Sequence, residues 1–137
     1  MAKPVNVAIT QLIDINSQYD DKGPVLTNGD KTLVFTSRRP IGDKSKLDKE
    51  SDFGYFDDIY ESFWSDEKKA WLQAEMIRGP VNSDVYDACN SITSDGNTMF
   101  LYRNDLSGGD ILMSKKTASG KWRSPEMLPK QINTTYY

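Results

Sequence analysis

Trp71-Leu72-Gln73-Ala74-Glu75-Met76-Ile77 and Trp122-Arg123-Ser124-Pro125-Glu126-Met127-Leu128 are the two stretches on which the fold turns. Read alone, the first belongs in a helix, because Asp66 to Ile77 is rich in Glu, Lys, Ala, Leu, Gln and Met. The second repeats its Trp and its Glu-Met pair but holds Pro125 in the middle. A proline inside a helix costs about 3 kcal/mol. Equivalent positions of a repeat share one conformation, so both stretches are expected to be strands.

Other landmarks recur around them. Asn appears in one setting at Ile15-Asn16-Ser17, Val81-Asn82-Ser83 and Ile132-Asn133-Thr134, first 66 and then 51 residues apart. Trp71 and Trp122 are also 51 apart, and Asp58-Ile59-Tyr60-Glu61-Ser62 returns 52 residues later as Asp110-Ile111-Leu112-Met113-Ser114. The turn Thr27-Asn28-Gly29 returns after 67 residues as Ser94-Asp95-Gly96. Lys31-Thr32-Leu33-Val34 returns after 66 as Asn97-Thr98-Met99-Phe100, which makes Asp30 a one-residue insertion. The shrinkage from 66 to 52 places about 14 extra residues in the first copy, between Arg39 and Asp57.

Each copy reads as four short strands. Asn28-Gly29 and Asp95-Gly96 tolerate positive φ and mark tight turns. Strands are expected before them, at Gly23 to Thr27 and Ala88 to Thr93, and after them, at Thr32 to Ser37 and Thr98 to Arg103. Third strands follow at Ile59 to Trp64 and Ile111 to Lys115, and fourth strands at Trp71 to Ile77 and Trp122 to Leu128. Residues 9–14 resemble one more fourth strand, which brings the total to about nine. The chain then divides into 1–14, a leftover outer strand of a preceding unit; 15–80, the first unit with a loop insertion at 41–56; 81–131, the second; and 132–137, the start of a third.

Four-stranded units with an Asp-Gly-type turn point to β-propeller blades. The expected fold is therefore all-β: about two four-stranded antiparallel blades plus a leftover strand, an incomplete propeller. At this level the chain resembles the TolB-like (WD-like) β-propeller repeat family. Ile15-Asn16-Ser17-Gln18-Tyr19-Asp20-Asp21, Thr27 to Phe35, Thr36-Ser37-Arg38-Arg39-Pro40 and Asp58-Ile59-Tyr60 carry the resemblance in the first copy. Tyr86-Asp87, Ser94 to Met99, Gly109-Asp110-Ile111 and Trp122 to Leu128 carry it in the second. Asn28 departs from the family's usual Asp, and Asn104-Asp105-Leu106 replaces its Arg-Arg-Pro type of sequence. The resemblance implies an exported bacterial protein of the periplasm or outer membrane, often a lipoprotein with helical repeats or a peptidoglycan-binding domain of the outer-membrane-protein-A type. It also implies other envelope proteins as partners.

Length and composition narrow the field. The 137 residues suit one domain, which buries roughly two-thirds of its unfolded surface. Propellers close with 4–8 blades, so blades of about 50 residues need at least about 200 residues. A chain of this size is expected either to be a fragment of a larger protein or to associate, three copies giving a six-bladed ring. Seventeen basic and 20 acidic side chains leave a net charge of −3 and no reason to expect a nucleic-acid partner. No apolar run of about 20 residues is present to insert into a membrane. Met1 to Ala8 lacks the apolar core of a secretory signal, which suggests either a cytosolic protein or a chain that starts partway through a longer one. The repeats favour the second.

Candidate sites each have a plainer reading. With no His and one Cys, the commonest metal ligand and the commonest general base are missing. Asp57 and Asp58, near Asp52 and Glu61, are the right chemistry for Ca²⁺, but Asp110 repeats Asp58 as a strand-start residue, and no metal or cofactor is expected. Recurrence in both copies likewise argues against a glycosidase carboxylate pair. Cys89, whose counterpart is taken as Lys22, reads as a buried thiol rather than a nucleophile. Trp64, Trp71 and Trp122 suit packing between blades better than sugar stacking.

Only the insertion is not explained by the repeat. It opens highly charged and ends in Phe53, Tyr55 and Phe56. Long loops on rigid scaffolds carry binding and exposed aromatics make anchors, so these three are the candidate partner contacts; the alternative is that they fold back over the blade edge. The function expected is a non-enzymatic protein-interaction or scaffold module. The alternatives are a self-assembling propeller piece and an accessory propeller of a hydrolase.

Overall fold

A computed structural model describes residues 6–42, 47–49, 51–105 and 108–134. The charged opening of the insertion and the last residues of the third-repeat segment lie outside the described residues. The chain is all-β, with nine strands in two antiparallel sheets among the described residues. Sheet A holds β1 (Asp21–Thr27), β2 (Thr32–Ser37), β3 (Asp58–Ser65), β4 (Ala70–Trp71) and β5 (Glu75–Met76), with both short strands along β3. Sheet B runs β6 (Tyr86–Ile92), β7 (Thr98–Asp105), β8 (Gly108–Lys115) and β9 (Glu126–Met127).

The register repeats as the sequence does. Tyr60 pairs with Met76 and Glu61 with Glu75 in sheet A; Leu112 pairs with Met127 and Met113 with Glu126 in sheet B. Trp64 opposite Trp71 is matched by a bridge between Lys116 and Trp122. The extra Asp30 changes the first turn: Asn28, Gly29 and Asp30 all take positive φ, whereas in the second only Gly96 does. Asn and Asp are the side chains that tolerate this region. Lys22 opposite Thr36 and Ala88 opposite Tyr102 align Cys89 with Gly23, one residue from the expected Lys22.

Two expectations need correction. The fourth strands are not continuous. In sheet A the strand breaks over Leu72 to Ala74, because the Ser62 hydroxyl donates to the Leu72 carbonyl at 2.5 Å and occupies a group that a ladder would use; Ser114 does the same to Arg123 at 2.7 Å. Residues 9–14 form no strand at all, and Ile9 is 96% exposed. As the fourth strand of a preceding unit they would pair with that unit's third strand, and no strand stands ahead of β1 among the described residues.

The main core lies between the sheets. Val34, Ile59 and Ile77 of sheet A meet Cys89, Met99, Leu101, Leu112 and Trp122 of sheet B, with Val81 at the crossing. Each such side chain, fully buried, contributes about 1.5–3 kcal/mol. A smaller cluster of Ile15, Leu33, Phe35 and Tyr60 covers the far face of sheet A.

One side chain fixes the crossing from sheet to sheet. The Asn82 carboxamide accepts from the Ile59 N–H at 2.7 Å and donates to the carbonyls of Ile59 and Ile77, both at 3.0 Å. Asn133 repeats the arrangement on Ile111 (2.9 Å both ways) and Leu128 (3.1 Å). Removing it takes the acceptor from the N–H of fully buried Ile59, whose carbonyl keeps the Ile77 N–H at 3.0 Å. Asn82→Ala is therefore expected to lower unfolding free energy in urea by about 2–3 kcal/mol, and Asn133→Ala, over half-buried Ile111, by about 1 kcal/mol.

Candidate functional site

The insertion folds back on the end of the molecule where the two sheets meet. Leu47 and Tyr55 bridge, the Asp48 N–H donates to the Gly54 carbonyl and the Phe53 N–H to the Asp48 carbonyl, both at 2.9 Å. The loop is then pinned from sheet A. The Arg38 guanidinium donates as a fork to Asp52 (2.6 and 2.9 Å), and its Nε donates to the Tyr55 carbonyl at 2.7 Å. This contact requires Gly54, since a Cβ there would lie 2.5 Å from Arg38 Nη2. The Arg38 fork holds the Asp52 carboxyl well below the usual carboxylate range.

Sheet B supplies the second anchor. The Tyr86 hydroxyl donates to Asp48 Oδ2 at 2.6 Å, Arg38 lies over the Tyr86 ring at 5.7 Å, and Phe56 meets the same ring edge-on at 4.8 Å. Burial first, and then the Asp48 carboxylate, push the Tyr86 hydroxyl up to about 12. Tyr55 packs edge-on against Tyr19 at 5.7 Å. Of the three aromatics marked by the sequence, Tyr55 and Phe56 are thus half-buried within the fold, while Phe53 presents its ring to solvent at 67% exposure. Phe53 has φ of 57°, a left-handed conformation that only an over-determined loop imposes on a bulky side chain. Arg38, Asp48 and Tyr86 escaped the sequence reading as site residues, although Arg38 and Tyr86 lie in the quoted motifs.

Beneath the loop lies an acidic group. Asp57 pairs with Lys22 at 2.9 Å through Oδ2, while its buried Oδ1 has no partner. Its carbonyl accepts from the Asp87 N–H of sheet B at 2.9 Å. Asp58, 7% exposed, has its carboxyl raised to about 7, by burial first and then by the charges of Asp87 and Asp57. Asp52, Asp57, Asp58 and Glu61 are not gathered into a ligand set: among the described residues no group of three or more His, Cys, Asp or Glu is placed to hold a metal ion. Burial pushes the Cys89 thiol up to about 12, against any nucleophilic role.

The tryptophans sit elsewhere. Trp64 and Trp71 meet edge-on at 5.6 Å and border an apolar pocket of about 220 Å³ under residues 11–15. Trp122 is buried with Lys116 above its ring at 4.8 Å, beside a cleft of about 290 Å³ between the sheets that Glu61, Phe63 and Asp95 also line. No helix among the described residues is long and apolar enough to cross a membrane. Compared with protein-family models, curated proteins and solved structures, the chain finds no match.

Two outcomes follow from this geometry. Arg38→Ala removes the fork and the Nε bond, so amide exchange over residues 47–56 is expected to accelerate about tenfold while the β2 amides stay protected. The Asp58 carboxyl is raised in the fold, so the folded state holds a proton that the unfolded chain gives up near pH 4. Stability then falls as pH rises from about 4 to about 7 and levels off above. Asp58→Asn is expected to match wild type below pH 4 and to exceed it at pH 8 by roughly 1–3 kcal/mol in denaturant titrations.

Proposed function

We propose that this chain is a non-enzymatic protein-interaction module, built from two TolB-like β-propeller blades and belonging to a bacterial cell-envelope protein. The resemblance of the repeat motifs supports the blade assignment and the envelope setting. The observation that carries the binding role is the presentation of Phe53: a bulky ring, two-thirds exposed, at the tip of a loop that Arg38 and Tyr86 fasten to both sheets. A rigidly held aromatic loses little conformational entropy on docking, which is the property of an interface anchor. Tyr55 and Phe56 serve this reading as supports that set the loop's position.

A photo-crosslinking phenylalanine analogue at position 53, irradiated in intact cells, tests it. The expected product is one discrete adduct with another protein, which a second crosslinker at Leu72, an exposed position remote from the loop, does not give. Adducts absent at position 53, or the same adducts from both positions, overturn the proposal.

A further inference from the structure

At the strand ends away from the loop, the apolar core between the sheets stops and the cleft of about 290 Å³ opens. Its walls set a carboxylate against an ammonium. Glu61 on β3 stands directly opposite the core residue Val34, so it shares the face that sheet A turns to sheet B. Lys116 follows two residues after Ser114, whose partner across the ladder is the core residue Met99, and so it faces sheet A. Its N–H donates to the Asn97 carbonyl at 2.9 Å, and its ammonium lies over the Trp122 ring.

The two charges do not pair. Among the described residues neither side chain makes a hydrogen bond or an ion pair, so they stand more than about 4 Å apart across the cleft they line. Both are half-buried. Burial raises the Glu61 carboxyl, the Lys116 charge pulls it down, and the exposed Glu75 opposite it on β5 adds to the rise. Asp95, the other acid of the cleft, is already engaged by the Thr93 hydroxyl at 2.5 Å and the Asn97 N–H at 3.1 Å. Packing does not call for the unpaired charges. By register the repeat has Met113 where sheet A has Glu61, and Trp64 where sheet B has Lys116. Drawing two opposite charges out of water without joining them costs desolvation, which a molecule carrying the reverse pair would offset.

We infer that this cleft is a binding site for a free α-amino acid with an apolar side chain, its ammonium on Glu61 and its carboxylate on Lys116. Both contacts are charge-assisted hydrogen bonds. A residue inside a peptide carries neither charge, so the free molecule is the one that fits. The volume lies at the small end of ligand pockets, as an amino acid requires. Phe63, 46% exposed, and Ile92 line the same cleft and supply apolar surface for the side chain. The site is separate from Phe53, and the inference does not rest on the loop's binding role.

Calorimetric titration of the full chain with leucine, leucinamide and N-acetyl-leucine tests it, the Trp122 indole N–H resonance reporting that binding is at the cleft. Wild type is expected to bind leucine with a Kd below about 1 mM and each analogue, which lacks one of the two charges, at least about tenfold more weakly. Glu61→Gln is expected to abolish the preference for leucine over N-acetyl-leucine alone, and Lys116→Met the preference over leucinamide alone. Matched urea midpoints establish that both variants fold, and the comparison on wild type decides without them. Wild type that binds none of leucine, valine, methionine and phenylalanine up to about 10 mM, or that binds the analogues as tightly as leucine, overturns the inference. So do folded variants that keep both preferences.

Discussion

The fold depends on a carboxamide doing what a long strand would otherwise do. The outer strands β5 and β9 contain two residues each, too few for a ladder to hold them. Asn82 and Asn133 close the gap by giving one acceptor and two donors in a single planar group, directed at both backbone groups of a β3-type residue and at the carbonyl that follows the outer strand. Asp in its place would lack the donors. Because the Asn sits where the chain leaves one sheet for the next, the same three bonds finish one sheet and fix the origin of its successor.

A second repeated device shows how far the repeat bends without breaking. Asp21 accepts from Ser17 (N–H 2.6 Å, Oγ 2.9 Å) and Asp87 from Ser83 (2.6 Å both), and each also binds an arginine. The arginines are not equivalent. Arg103 stands directly across from Asp87, whereas the residue across from Asp21 is Ser37. Arg39 reaches back to Asp21 from two residues further on, resting its Nε on the Ser37 hydroxyl at 2.8 Å. The insertion leaves the sheet at this point, and Arg38 is turned outward to hold it. One ion pair is preserved and a second arginine is freed for the loop.

The two-copy architecture was legible because its markers are local: Asn-Gly and Asp-Gly turns, the Trp and Glu-Met pairs, and Pro125 overruling the helical composition of Asp66 to Ile77. What stayed hidden depends on partners remote in sequence. Residues 9–14 read as a strand because strand pattern is intrinsic, but a fourth strand pairs with the third strand of its own unit, and the described strands include none ahead of β1. The break at Leu72 to Ala74 follows from a hydroxyl on β3, a position that nothing in the fourth strand reveals. Tyr86 lies 31 residues beyond Tyr55, so its part in fastening the loop appears only once sheet B is laid beside sheet A. The aromatics of the loop were found, but their division into two supports and one exposed ring is a property of those contacts.

Asp58 and Asp110 show what the junction itself does to chemistry. They stand in equivalent register, Asp58 opening β3 and Asp110 two residues into β8, yet Asp58 is buried and Asp110 is half-buried. Both are strand residues followed by Ile, so the difference comes from what lies alongside: sheet B, with Asp87, covers Asp58, and no further sheet covers Asp110 among the described residues. Burial is the largest cause of the raised Asp58 carboxyl, and the nearness of Asp87 is the next. The acidity of this residue is therefore set by sheet–sheet packing rather than by its own strand. Any motion that parted the sheets at this end would return Asp58 to water and lower its carboxyl toward the ordinary range. The loop that ties Arg38 to Tyr86 across the same end opposes that motion, and in this way the insertion and the buried acid become parts of one mechanical unit.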